Sequence, residues 1–270
     1  MSNAVVHTEG HGHAHAAHHP ELRHHFDTMA QQKEAAVVGM WLFLLTEILF
    51  FGGLFMAYMI YRTWYFDAFA EASRSLDIFW GALNTAVLIV SSLTMALAVR
   101  CAQTNQRKAT VTWLIVTTLL GTVFLGVKVI EYRDKFEHHH VPGYHYQWAA
   151  HEAGPTEGPP AAAAAAEHQP PPAGGAVEAA GGHRQLSLSP DQLQLTTQIY
   201  FSLYFTMTGL HALHMIIGIG LMSVITWMAW KGKFDAEYYT PVEMSGLYWH
   251  FVDIVWIFLF PLLYLVERHQ

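Results

Sequence analysis

The stretch AAVVGMWLFLLTEILFFGGLFMAYMI, residues 35–60, decides the fold. It is longer than the roughly 20 apolar residues that a helix needs to cross a bilayer. Its single ionisable acid is Glu47, near the middle of the run. A carboxyl at that depth costs about 2.5–3.5 kcal/mol on insertion scales, so it is rarely placed there without a partner or a role. Glu47 is expected to be uncharged, because hydrocarbon disfavours the ionised form. Two readings stand from the residues alone: a hydrogen-bonded packing residue between helices, or a functional membrane carboxyl.

Four further runs share this character: 78–99, 109–127, 195–230 and 244–266. Lipid tolerates no unpaired backbone groups, and these runs are too long for barrel strands. The expected fold is therefore all-α, an integral membrane bundle of five transmembrane helices. The net charge of −7 comes mostly from loops and points away from nucleic acid. A single cysteine, Cys101, excludes an internal disulfide, a CxxCH haem attachment and a copper site built on paired cysteines. The first thirty residues lack the apolar core of a signal peptide. The short, purely basic loop at Arg100, Arg107 and Lys108 places the N-terminus inside and the C-terminus outside.

Two regions read as non-membrane. Residues 1–30 form a His-rich tail with eight histidines in the first 25 positions, in a Gly/Ala background that cannot build a core. Such a tract can hold a divalent metal loosely, but a disordered tail is the plainer reading. Residues 136–192 form a Pro/Ala/Gly-rich insert between the membrane segments 31–135 and 193–270. No internal repeat is visible, which counts against transporters built from duplicated halves.

Three polar constellations lie inside the spans besides Glu47. His211 and His214, in TGLHALHMIIGIG, share a helix face. They can bind metal or hydrogen-bond to neighbouring helices, and one helix alone seldom completes a metal site. The glycines at 209, 218 and 220 let another helix approach. In YWHFVDIVW, Asp253 can accept from His250, while Tyr248 and Trp249 read as interfacial anchors. That pair serves either to hold its helix or to relay protons. In GVKVIEYRDKF, Lys128 can snorkel to the interface and pair with Glu131.

Read in order, WLFLLTEILFFGGLFMAY, LNTAVLIVSS, LGTVFLGVKVIEY, TGLHALHMIIGIG and YWHFVDIVWIFLFPLLYL resemble the cytochrome c oxidase subunit III family. The resemblance covers about residues 30–135 and 190–268, with Lys128 standing where many members carry glutamine. Many members have seven helices, and this chain starts at what looks like the third. It thus resembles the five-helix form of bacterial oxidases, in which the two helices that form the other wall of the usual lipid cleft are either supplied by another subunit or absent.

The resemblance implies a non-catalytic third subunit of a respiratory haem–copper oxidase in a bacterial plasma membrane. Such a subunit packs on the catalytic subunit I beside subunit II, binds phospholipid, and supports proton uptake and durability in turnover. Cytochrome c or quinol would feed the complex, and haem and copper would reside in the partners, with no cofactor in this chain. Glu47 matches the family's carbodiimide-reactive carboxyl. The polar residues expected to bind lipid or pack helices are His211, His214, Tyr248, Trp249, His250, Asp253, Lys128 and Glu131. Alternatives are the third subunit of a quinol oxidase, the accessory subunit of a nitric oxide reductase and, more remotely, a His-rich metal transporter or haem protein. Deleting residues 1–25 is expected to leave assembly and oxygen consumption unchanged, as measured on membranes of the truncated strain.

Overall fold

The computed structural model describes residues 20–137 and 190–266. The expectations for most of the His-rich tail and of the Pro/Ala insert lie outside these residues. Six helices follow in order: α1 (Met29–Trp64), α2 (Phe66–Arg74), α3 (Ile78–Gln103), α4 (Arg107–Glu137), α5 (Pro190–Trp230) and α6 (Thr240–Tyr264). All but α2 are long and apolar enough to cross a membrane, and there is no strand among the described residues. The five-span, all-helical expectation holds.

Helix α2 was not expected. Its sequence FDAFAEASR is too short and too mixed to read as a span, yet it buries Ala68, Phe69 and Ala72 completely. Phe69 packs against Tyr58 in a tilted contact and against Tyr200 edge-to-face, at 5.4 and 5.3 Å between ring centres, so α2 seals one end of the bundle.

Helices α3 to α6 close a ring: α3 packs against α4 and α6, α4 against α5, and α5 against α6. Helix α1 lies outside this ring on α6 and α5, with Val38, Leu42, Leu49 and Met56 all at least 60% exposed on its outer face. Helix α6 is the most buried span, and its two core tryptophans lock the ring. Trp249 donates from its indole nitrogen to Ser91 Oγ and Trp256 to Thr85 Oγ1, each at 3.1 Å. The small polar residues of α3 thus accept from α6, while Thr94 hydroxyl meets Thr117 of α4 at 2.8 Å.

Helix ends in lipid must satisfy their last carbonyls. At the end of α6, Tyr58 of α1 donates to the Leu262 carbonyl at 2.6 Å and Tyr200 of α5 to that of Leu263 at 2.8 Å. At the end of α5, the Arg107 guanidinium donates to the Ala229 carbonyl at 3.2 Å and also to that of Trp230. Gly232 then turns the chain with φ +74°, a conformation that glycine adopts without strain.

The glycine expectation is partly corrected. A side chain at Gly218 would sit 3.1 Å from Trp249, but nothing lies within 4 Å of Gly209 or Gly220. The tightest approach is at Gly121 of α4, where a Cβ would come within 2.5 Å of the Trp249 ring. Gly121→Ala should therefore destabilise the chain by about 1–3 kcal/mol through overpacking. Gly220→Ala should be neutral or stabilising by up to about 1 kcal/mol. Thermal unfolding in mild detergent distinguishes the two.

Candidate functional site

Glu47 faces the bundle at mid-span. Its Oε2 lies 3.1 Å from Nε2 of His214 on α5, and both side chains are mostly buried. The other ring nitrogen of His214 is 2.7 Å from the Leu210 carbonyl. A carbonyl can only accept, so Nδ1 carries a hydrogen and donates. Nε2 must then accept from a protonated carboxyl, or donate to a carboxylate as part of an imidazolium. Either arrangement is neutral as a pair, which suits an apolar setting.

Tyr248 of α6 completes the junction by donating to the backbone carbonyl of His214 at 3.1 Å, while the Phe51 ring packs edge-on to His214 at 5.2 Å. Three helices thus meet at one polar point.

Several expected roles are corrected here. Tyr248 and Trp249 are 6% and 1% exposed, so they are core residues and not interfacial anchors. Their neighbours in sequence are polar enough to imitate a span boundary, but α6 begins eight residues earlier, at Thr240. His250 does not pair with Asp253; its Nδ1 meets Ser92 Oγ of α3 at 2.7 Å. Asp253 is buried beside Ser92, and its Oδ1 has no partner among the described residues. His211 and His214 part company despite their shared face. His211 is 1% exposed and packed against Phe124 and Trp256, and neither ring nitrogen is hydrogen-bonded among the described residues. These span histidines do not converge, and no group of three potential metal ligands forms among the described residues.

A second polar centre joins α4, α5 and α6. Lys128 does not snorkel; it is 4% exposed and turned inward. Its ammonium donates to Glu131 Oε2 at 2.9 Å and to the Tyr264 hydroxyl at 2.7 Å, and sits 4.4 Å above the Trp256 ring. The other carboxylate oxygen of Glu131 accepts from Tyr204 at 2.8 Å and from Tyr264. The Lys–Glu spacing is visible in the sequence, but its partners Tyr204, Tyr264 and Trp256 are not. Aromatic residues at span ends usually read as interface belts, and only tertiary packing turns their hydroxyls inward.

An apolar groove of about 480 Å³ lies between α1 and α6, lined by Trp41, Leu44, Phe51, Leu247 and Phe258, with His250 the polar residue on its wall. It opens toward the surrounding lipid beside the turn of α1 that carries Glu47.

The buried pair makes a direct prediction. Lys128→Met strands the Glu131 carboxylate and should cost about 3–5 kcal/mol. Lys128→Met combined with Glu131→Gln should recover more than half of that loss. Reversible unfolding of the full chain in mixed micelles reads both values.

The comparisons with known proteins agree with this architecture. The family model for cytochrome c oxidase subunit III matches residues 187–267, which span α5 and α6. Cytochrome c oxidase subunit 3 of Thermostichus vulcanus is 28% identical over 94% of this chain and 92% of its own. Cytochrome bo(3) ubiquinol oxidase subunit 3 of Pseudomonas aeruginosa is 27% identical over 98% and 99%. Quinol oxidase subunit 3 of Bacillus subtilis is 25% identical over 85% and 86%. With five membrane-length helices in the order the motifs require, the chain is similar along nearly its whole length to the third subunits of both cytochrome c and quinol oxidases.

Proposed function

We propose that this chain is the third, non-catalytic subunit of a respiratory haem–copper terminal oxidase, packed against the catalytic subunit in a bacterial plasma membrane. The observation that carries this reading is the near-complete coverage of oxidase third subunits, joined to a mid-span carboxyl held by a histidine of its own bundle. The chain supplies no redox centre. Haem and copper belong to subunits I and II, which reduce oxygen to water and translocate protons, and this chain sustains their turnover. The N-terminus lies inside and the C-terminus outside, as the basic α3–α4 turn favours.

Within that role Glu47 holds α1 to the bundle as a protonated acid donating to His214. The groove between α1 and α6 is of a size and character to take a lipid acyl chain, so loosening α1 would disturb bound phospholipid. Cytochrome c is the donor in the primary reading. A quinol-fed complex is the second reading, favoured by the end-to-end match to the ubiquinol oxidase subunit. The proteins that co-purify in mild detergent separate the two: a copper-bearing second subunit marks cytochrome c, and a copper-free one marks quinol.

A membrane-soluble carbodiimide should label Glu47 in the intact complex, since the reagent requires a protonated carboxyl. Glu47→Gln should keep assembly and most oxygen reduction, whereas Glu47→Ala should shorten the active lifetime. Peptide mapping that finds only loop acids such as Asp134 modified would contradict the protonated state.

A further inference from the structure

Two polar side chains inside the ring of α3 to α6 have no hydrogen-bond partner among the described residues. Asn84 of α3 is 0% exposed with neither amide atom paired, and His211 of α5 is buried with both ring nitrogens unpaired. They stand on the two helices that face each other across the ring. Asn84 belongs to a stripe with Leu88, Ser91 and Met95, all fully buried, which is the face of α3 turned to the interior.

Trp256 of α6 brings the two to one level. Its indole nitrogen donates to Thr85, the residue after Asn84, and its ring centre lies 5.3 Å from that of His211. Phe124 of α4 packs on both rings, 4.9 Å from Trp256 and 5.6 Å from His211. Buried amides and imidazoles are nearly always hydrogen-bonded, so two bare ones at one level call for a common partner. Asn84 offers two donors and an acceptor, and a neutral imidazole offers one donor and one acceptor. That mixed set suits neither a cation, which needs acceptors alone, nor an anion, which needs donors alone. A small guest that donates and accepts at once satisfies it.

Such a guest has a polar way in. Lys128 stands 4.4 Å above the same Trp256 ring and holds Glu131, which lines a recess of about 220 Å³ at the last turns of α4. From Glu131 to Phe124 the path is about 10 Å along the axis of α4.

We propose that the ring binds buried water between Asn84 and His211, at the inner end of the Lys128–Glu131 centre. The water accepts from the Asn84 amide and donates to the bare nitrogen of His211, as buried waters do when they join otherwise unsatisfied groups. It ties α3 to α5, two helices that do not pack on each other directly. The site rests on the residues of the ring alone and holds whichever donor feeds the complex.

The test is X-ray hydroxyl-radical footprinting, in isotope-labelled water, of the full chain in the complex with which it co-purifies. Radicals formed from bound water oxidise the side chains beside it, and a dry interior is spared. Trp249 is the internal control: it lies on the same helix, is equally buried, and has its indole nitrogen on Ser91 and glycines against its ring. Trp256 should take up labelled oxygen several-fold faster than Trp249. Asn84→Leu and His211→Phe should each bring Trp256 down to the rate of Trp249, whereas His211→Gln, which keeps a donor and an acceptor, should leave it fast.

Equal rates at the two tryptophans of the wild-type complex would overturn the proposal, and that comparison needs no variant to fold. A fast Trp256 that neither Asn84→Leu nor His211→Phe slows would put the water at the Lys128–Glu131 centre alone and would overturn its assignment to Asn84 and His211.

Discussion

Helix α1 is bound to its bundle by polar contacts at three depths, and the Glu47–His214 contact is the one at mid-membrane. In lipid there is little hydrophobic drive to bring one apolar helix to another, so packing and hydrogen bonds must do it. Only Leu44, Phe51 and Tyr58 of α1 are fully buried. Near one end Lys33 donates to the Tyr239 hydroxyl at 2.8 Å and lies 3.0 Å from Glu243, close enough for ion pairing though outside hydrogen-bond geometry. Near the other end Tyr58 caps α6. Between them an acid that would be costly in hydrocarbon becomes a fastening once His214 meets it.

The ring of α3 to α6 is held differently. Glycine and small hydroxyl residues let Trp249 and Trp256 enter close to neighbouring backbones, and the indole nitrogens then find acceptors on α3. The Lys128–Glu131 pair sits among tyrosine hydroxyls that satisfy both partners. These features fit a closely packed ring of four helices with one loosely packed outer helix. They suit a subunit whose proposed work is to support a catalytic neighbour and to hold lipid against it.

Much of this was legible from residues because membrane insertion imposes strong sequence rules. Run length alone located the spans, and the isolated charge at Glu47 marked a residue that meets a second helix. Partner choice was legible for Lys128 and Glu131 but not for the histidines. Residues three apart on a helix share a face only approximately, so His211 and His214 met different neighbours, and His250 chose Ser92 over Asp253. Nor did span position reveal that Tyr248 and Trp249 are buried, because α6 starts earlier than its apolar run. The short α2 had too few residues to show a period. Asn84 is buried with neither amide atom paired among the described residues, and nothing in its sequence context explains it.

The most direct test of the fastening is a double-mutant cycle between Glu47→Met and His214→Met, read by reversible unfolding of the full chain in mixed micelles. The contact predicts a favourable coupling of about 0.5–2 kcal/mol between the two positions. Strict additivity, with a coupling below about 0.3 kcal/mol, would show that the two side chains do not act together and that α1 is held by packing alone.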